Sequence, residues 1–186
     1  TWDGRDSELD PKTGLYGDVT MAPFLGLAGT GNGLRVTADA RAYRELGDVV
    51  AAGRLQAGTI LGPSLAQTPR DDLFFSGGGG NVRGQPYQAL GFTVLQGGTL
   101  KTGGQHFLGL SGEVRVPVTG PWGAVVFYDA GYVAATDFGD GAWHAGAGLG
   151  LRYDTGIGPI RLDLALPVSG DNDDGVQLYI GIGQAF

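Results

Sequence analysis

Apolar residues recur at every second position over long stretches of this chain, and the positions between them carry charges, hydroxyls and glycine. From Leu34 to Tyr43 one parity reads Leu34, Val36, Ala38, Ala40 and Ala42, and the other reads Arg35, Thr37, Asp39, Arg41 and Tyr43. Period two marks a β-strand with one apolar and one polar face. Leu108, Leu110, Gly112, Val114 and Val116 alternate likewise with Gly109, Ser111, Glu113 and Arg115, and Ile160, Leu162, Leu164 and Leu166 with Arg161, Asp163 and Ala165. Near the C-terminal end Val176, Leu178, Ile180, Ile182 and Phe186 oppose Gln177, Tyr179, Gly181, Gly183 and Ala185. Eight such strands are predicted, near 15–28, 33–47, 49–62, 106–118, 122–134, 143–154, 158–168 and 176–186, and helical periodicity is absent.

Several of these segments exceed the five or six residues usual in soluble sheets and suit the roughly 9 to 11 residues of a tilted strand crossing a bilayer. A soluble β-sandwich or lipocalin-like barrel would bury the apolar parity and wet the polar one. Here the polar parity mixes Arg with Asp and Glu among glycines, which better suits a confined, wet lumen. Trp122, Trp143, Tyr128, Tyr132 and Tyr153 lie in or beside strands, where aromatic girdles sit. The predicted fold is all-β: a transmembrane antiparallel up-and-down β-barrel, eight strands in one domain over 1–186. The links at Gly47-Asp48, Thr119-Gly120-Pro121 and Asp154-Thr155-Gly156 are tight, while 63–105, 135–142 and 169–175 are longer. Short turns belong on the periplasmic side and long loops outside.

The longest link carries Ser76-Gly77-Gly78-Gly79-Gly80-Asn81-Val82-Arg83-Gly84-Gln85-Pro86-Tyr87, with one arginine at its tip. Loops this long in compact proteins are functional or disordered, and consecutive glycines allow a tight fold that could deliver Arg83 into a confined space. On composition alone a floppy surface loop is the plainer reading.

Composition removes several function classes. The net charge is −7 with no Lys/Arg cluster, which argues against nucleic acid. There is no Cys and there are 2 His, so neither a disulfide framework nor a zinc site is expected, and no cofactor is implied. No apolar run reaches the roughly 18 to 20 residues of a spanning helix, and the N-terminal stretch lacks a basic and apolar signal segment. A start at Thr1 suggests a trimmed chain or a piece of something larger. The acidic link Ser-Gly-Asp-Asn-Asp-Asp-Gly at 169–175 reads as a solvated loop rather than a cation site. His106 and His144 begin strands, and Ser111 has no histidine at compatible spacing, so a lipase-like enzyme is not expected.

With Val82-Arg83-Gly84 go three further features in order: the opening Asp3-Gly4-Arg5-Asp6-Ser7-Glu8-Leu9-Asp10-Pro11-Lys12-Thr13-Gly14; Phe127-Tyr128-Asp129-Ala130-Gly131; and Gly158-Pro159-Ile160-Arg161-Leu162-Asp163 before a last strand ending in Phe186. Together they make the chain resemble the C-terminal half of the barrel in the BamA and TamA superfamily of outer-membrane assembly proteins, the bacterial surface antigen family, closest to TamA. Phe127, Asp129 and Gly131 match that family's Phe-x-Asp-x-Gly strand. Tyr179, Gly181 and Phe186 match its C-terminal signal, where Gln184 stands in place of an apolar residue. Gln85 likewise departs from the aromatic residue that often follows Arg-Gly.

The resemblance implies that the long loop folds into the lumen and that its arginine meets inward-facing acids. Glu113 and Asp129, both on the polar parity, are the expected partners of Arg83. It also implies a barrel of the bacterial outer membrane that takes part in protein insertion and transport, with membrane lipid, outer-membrane protein substrates and assembly machinery as partners, and no enzymatic chemistry. Such relatives have sixteen strands, twice the number predicted here. The chain is then half a barrel, one of two copies in a homo-oligomer, or an eight-strand barrel with the loop displaced, because an eight-strand interior holds little beyond side chains. Unpaired edges are costly in lipid, so pairing of 15–28 with 176–186 is expected, with Gly181 and Gly183 making a pliable seam. The alternative function is a passive barrel or pore in which Arg35, Asp39, Arg41, Arg54, Glu113, Arg115, Asp129, Arg152, Arg161 and Asp163 form a structural charge network.

Overall fold

A computed structural model describes residues 1–27, 29–88, 92–93, 101–169 and 175–186. The strands are β1 (Trp2–Asp3), β2 (Gly14–Phe24), β3 (Gly33–Leu46), β4 (Val49–Leu61), β5 (Phe92–Thr93), β6 (Lys101–Thr102), β7 (His106–Thr119), β8 (Trp122–Ala134), β9 (Ala142–Tyr153), β10 (Ile160–Ser169) and β11 (Gln177–Ile182), with one 3-10 turn at Leu65–Gln67. Nine of them form one antiparallel sheet in the order β1-β2-β3-β4-β7-β8-β9-β10-β11, and β5 pairs with β6 separately. Within the nine-strand sheet the members follow one another in chain order, an up-and-down meander. Tight reversals between β3 and β4 and between β7 and β8 use Gly47 at φ +66 and Gly120 at φ +52, conformations that glycine adopts without cost.

Burial is inverted relative to a soluble sheet. On β10, Asp163 is 0% exposed while the adjacent Leu164 is 51% exposed. Glu113, Arg115, Asp129 and Arg152 are buried on the concave side, and Leu110, Val114, Leu149, Leu162, Leu166, Leu178 and Ile180 point outwards. A largely apolar exterior around a charged interior is what a bilayer solvates. The outward face also carries aromatic pairs at two heights. Trp122 meets Tyr153 edge-on at 4.9 Å beside the short turns, and Tyr132 meets Trp143 at 5.2 Å towards the long loops. Ten residues of β8 separate the pairs, about 33 Å along a strand and about 25 Å in height at a tilt near 40°. That height is the thickness of the apolar band of an outer-membrane barrel.

Two expectations about the seam need correction. The predicted pairing of 15–28 with 176–186 is not formed among the described residues: β2 pairs with β1 and β3, and β11 pairs with β10 alone. Residues of the long loop occupy the concave side, where a closed eight-strand circle would leave them no room. Part of the outer edge of β2 is covered instead by Trp2 and Asp3, opposite Gly17 and Tyr16. The first long strand ends at Phe24, and the last ends at Ile182 rather than at Phe186. Gly183, at φ +83, turns the tail inwards, so Phe186 does not continue the outward parity of Leu178, Ile180 and Ile182 as the alternation predicts; it is buried with Tyr43 and Ala52. Of the acidic link 169–175, residues 170–174 lie outside the described residues.

The loop enters along the sheet's inner face. Phe74 packs with Ile60, Leu73, Phe107 and Val133, and its backbone exchanges two 2.9 Å hydrogen bonds with Gly104. Gly58 makes room for its ring, since a Cβ there would stand 2.4 Å from Phe74.

Candidate functional site

Beyond Phe74 the glycine run folds back on itself to form the tip. The Asn81 carboxamide oxygen accepts from the Gly77 and Val82 N–H groups at 2.9 and 2.8 Å, and the Gly78 N–H donates to the carbonyls of Val82 and Gln85. Gly77, Gly78 and Gly84 hold φ of +105, +95 and +92, which a residue with a Cβ rarely adopts. From the facing wall, Arg54 donates to the Gly80 carbonyl at 2.9 Å while pairing with Asp39 at 2.6 Å.

This turn places Arg83, 2% exposed, at the centre of three strands. Its Nε and Nη2 donate to the two oxygens of Asp129 on β8 at 2.7 and 3.1 Å. Nη1 donates to Glu113 on β7 at 2.7 Å and to Asp163 on β10 at 3.2 Å. The Arg83 backbone N–H reaches Asp129 at 3.1 Å, and the guanidinium lies 3.5 Å from the centroid of the Phe127 ring. Four of the five guanidinium N–H donors thus meet carboxylates while the flat face meets an aromatic ring, a geometry that only arginine offers.

The acids are shared with two more arginines. Arg115 donates to Glu113 at 3.0 Å and to the carbonyls of Pro11 and Phe186, and Arg152 donates to Asp163 at 2.5 Å and to the Gln184 side chain at 2.8 Å. Three arginines therefore balance three carboxylates, and the network runs from the loop tip to the inturned tail. Gln184, an oddity beside the family signal, completes it: its amide donates to Asp10 at 2.8 Å and its backbone N–H to the Leu9 carbonyl at 2.9 Å. The opening turn that receives it is braced by Asp6, which accepts from the N–H groups of Lys12 and Thr13. Burial pushes the Asp6 carboxyl up, but those backbone bonds outweigh it and hold the group below its ordinary value.

The wall beneath the tip is cleared of side chains. A Cβ on Gly146 would stand 1.8 Å from the Arg83 carbonyl, and one on Gly150 would stand 2.1 Å from Asp163. Gly131 admits Ser76 and Val82, and Val82 is 0% exposed. Gln85, also fully buried, donates from Nε2 to the carbonyls of Ala145 and Ser169, both at 3.1 Å. Pairing of β9 with β10 shifts register there, between Pro167 and Ser169. Proline has no N–H for the ladder, so the Gln85 amide serves carbonyls that the irregularity leaves over. An aromatic ring could not do this, which accounts for the departure at that position.

Of the other residues singled out in the sequence, Tyr179 lies on the inner face of β11, where its hydroxyl accepts from the Gly84 N–H at 3.1 Å and donates to the Gln85 carbonyl at 3.3 Å. Gly181 faces Arg161, which rests where a Cβ would be, 2.9 Å from Nε. His106 bonds Thr59 and the Thr136 carbonyl and stacks on Phe138, a structural setting away from Ser111. No group of three or more His, Cys, Asp or Glu among the described residues is arranged to hold a metal ion.

Comparisons with known proteins agree on one family. The Omp85 superfamily domain matches residues 1–186. Outer envelope protein 80 of the chloroplast of Arabidopsis thaliana is 33% identical in an alignment of 153 residues that covers 70% of this chain and 19% of that protein. The crystal structure of BamA from Haemophilus ducreyi lacking POTRA domains 1–3 superposes with a TM-score of 0.76 at 19% identity, over 96% of this chain and 40% of that one. The chain therefore spans well under half the length of the relatives it matches.

Proposed function

The chain belongs to the Omp85 superfamily, and from that membership we propose that it supplies lipid-facing wall and lumenal lock to an outer-membrane barrel that inserts β-strand proteins, with no enzymatic step. The localisation follows from the family and from the apolar exterior. The observation that carries the functional reading is the docking of Arg83. Stability alone is a weak reason to build such a cluster, because desolvation consumes most of the Coulombic gain. What such a cluster supplies is position: it holds a long loop in one place inside a wall that must deform elsewhere. The partners on this reading are lipid at the outward face and unfolded outer-membrane strands at the edge, where backbone pairing can template an incoming strand.

The test is insertion by the full-length protein in proteoliposomes, supplied with an unfolded outer-membrane protein. Arg83→Ala should leave the barrel inserted yet reduce the acceleration of substrate folding by at least about tenfold. Acceleration equal to that of the unaltered protein would refute the lock and return the loop to a structural plug, the passive reading.

A further inference from the structure

β11 is short and, among the described residues, pairs with β10 alone, over Ile160↔Ile182 to Ala165↔Gln177. Apart from Gln177 and Tyr179, its side chains do little to specify that pairing. The outward residues Leu178, Ile180 and Ile182 are alike, and the inward positions Gly181 and Gly183 carry no side chain. A slip of two residues keeps every face where it was. It would bring Leu178 from Leu164 to Leu166 and would still set a glycine, Gly183 in place of Gly181, opposite Arg161. The steric demand of Arg161 is met in both registers, so it selects neither.

Besides the tail bonds of Gly183 and Gln184, what distinguishes the registers within the strand is Tyr179. In the observed pairing it faces Asp163 and packs against Val125, Phe127 and Ala165, with its hydroxyl bonded to both Gly84 and Gln85 of the loop tip. The glycine run passes over its ring, and a Cβ on Gly79 would lie 3.0 Å from Tyr179. The tip is itself pinned to β7, β8 and β10 through Arg83 and to β9 and β10 through Gln85. We propose that Tyr179 is a positioning residue that sets the register of the last strand by reading the docked loop tip, so that the loop, and not the β10–β11 ladder alone, determines which residues of β11 stand at the seam. A slip by two would put Gly181 beneath the tip and leave the Gly84 N–H without its acceptor. The inference concerns the barrel itself and does not depend on the insertion activity.

These 186 residues hold no Cys, so introduced pairs are the only thiols in this part of the barrel. Leu164→Cys with Leu178→Cys reports the observed register, and Leu166→Cys with Leu178→Cys reports the slipped one. Both pairs face outwards, and a disulfide requires Cβ atoms about 3.5–4.5 Å apart, which favours directly opposed residues. With Tyr179 present, oxidation should cross-link the first pair and leave the second nearly unlinked. Tyr179→Phe keeps the ring and removes both hydrogen bonds; it should raise the slipped cross-link on the order of tenfold, and Tyr179→Ala should raise it further. The in-register pair reports folding in each background. Gln184→Ala serves as comparison, because it removes the side-chain bonds to Asp10 and Arg152 that also resist a slip, while the backbone bond to Leu9 stays. A slipped cross-link that stays at the starting level in both Tyr179 variants, or that rises only in Gln184→Ala, would assign the register to the tail and overturn the proposal.

Discussion

Arg83 shows how far single residues can be understood from their neighbours. Parity alone marked Glu113 and Asp129 as facing inwards, and the same rule applied to Leu162, Asp163 and Leu164 marks Asp163 as well. Alternation says which face a side chain takes, not which loop arrives there, so the third carboxylate stayed one charge among many. Gln85 and Gln184 were visible only as departures. Their roles depend on a ladder irregularity at Pro167 and on an inturned tail, and both are properties of backbone pairing that residue type does not announce. The fork geometry at Arg83 predicts that Arg83→Lys, despite keeping the charge, loses at least two charge-assisted bonds and the ring contact. We expect a loss of about 3 kcal/mol in urea unfolding from lipid vesicles; an unchanged midpoint would mean that the charge alone suffices.

Among the elements, strand existence was the most legible property and strand ends the least. Long period-two runs locate β2 to β4 and β7 to β11 within a few residues, whereas Gly183 ends β11 by a positive φ that composition does not reveal. In the last strand, Gly181 and Gly183 read as looseness. On β9 glycine has the opposite use: Gly146, Gly148 and Gly150 lie on the inner parity, and each is filled by neighbours, the Arg83 carbonyl, the Leu164 carbonyl with the Phe127 ring, and the Asp163 carboxylate respectively. The clash at Gly146 is with backbone, so no rotamer change relieves it. Gly146→Ala should therefore undock the tip, and trypsin added outside should cut after Arg83. Gly112→Ala, which meets nothing within 4 Å, should leave Arg83 resistant. Equal resistance in both variants would show that the tip tolerates a shifted wall.

For the molecule as a whole, the inside-out burial was readable from charge on one parity and aliphatics on the other; closure was not, because edge pairing depends on what occupies the concave side. The two aromatic heights carry a prediction of their own. In single-tryptophan variants, Trp122, 46% exposed, and Trp143, 49% exposed, should be quenched most by lipids brominated near the headgroup and least by those brominated near the chain end. Stronger quenching from the bilayer centre would displace the girdles. The placement of the lumenal cluster also has a consequence in time. Arg83 precedes Glu113, Asp129 and Asp163 in the chain, and Tyr179 follows them all. In a polypeptide laid down from its N-terminal end, the guanidinium stays hydrated until β7, β8 and β10 have taken their places, and the clasp on Gly84 waits for β11. The loop that enters first by sequence is secured last, which makes its docking a record that the wall behind it is finished.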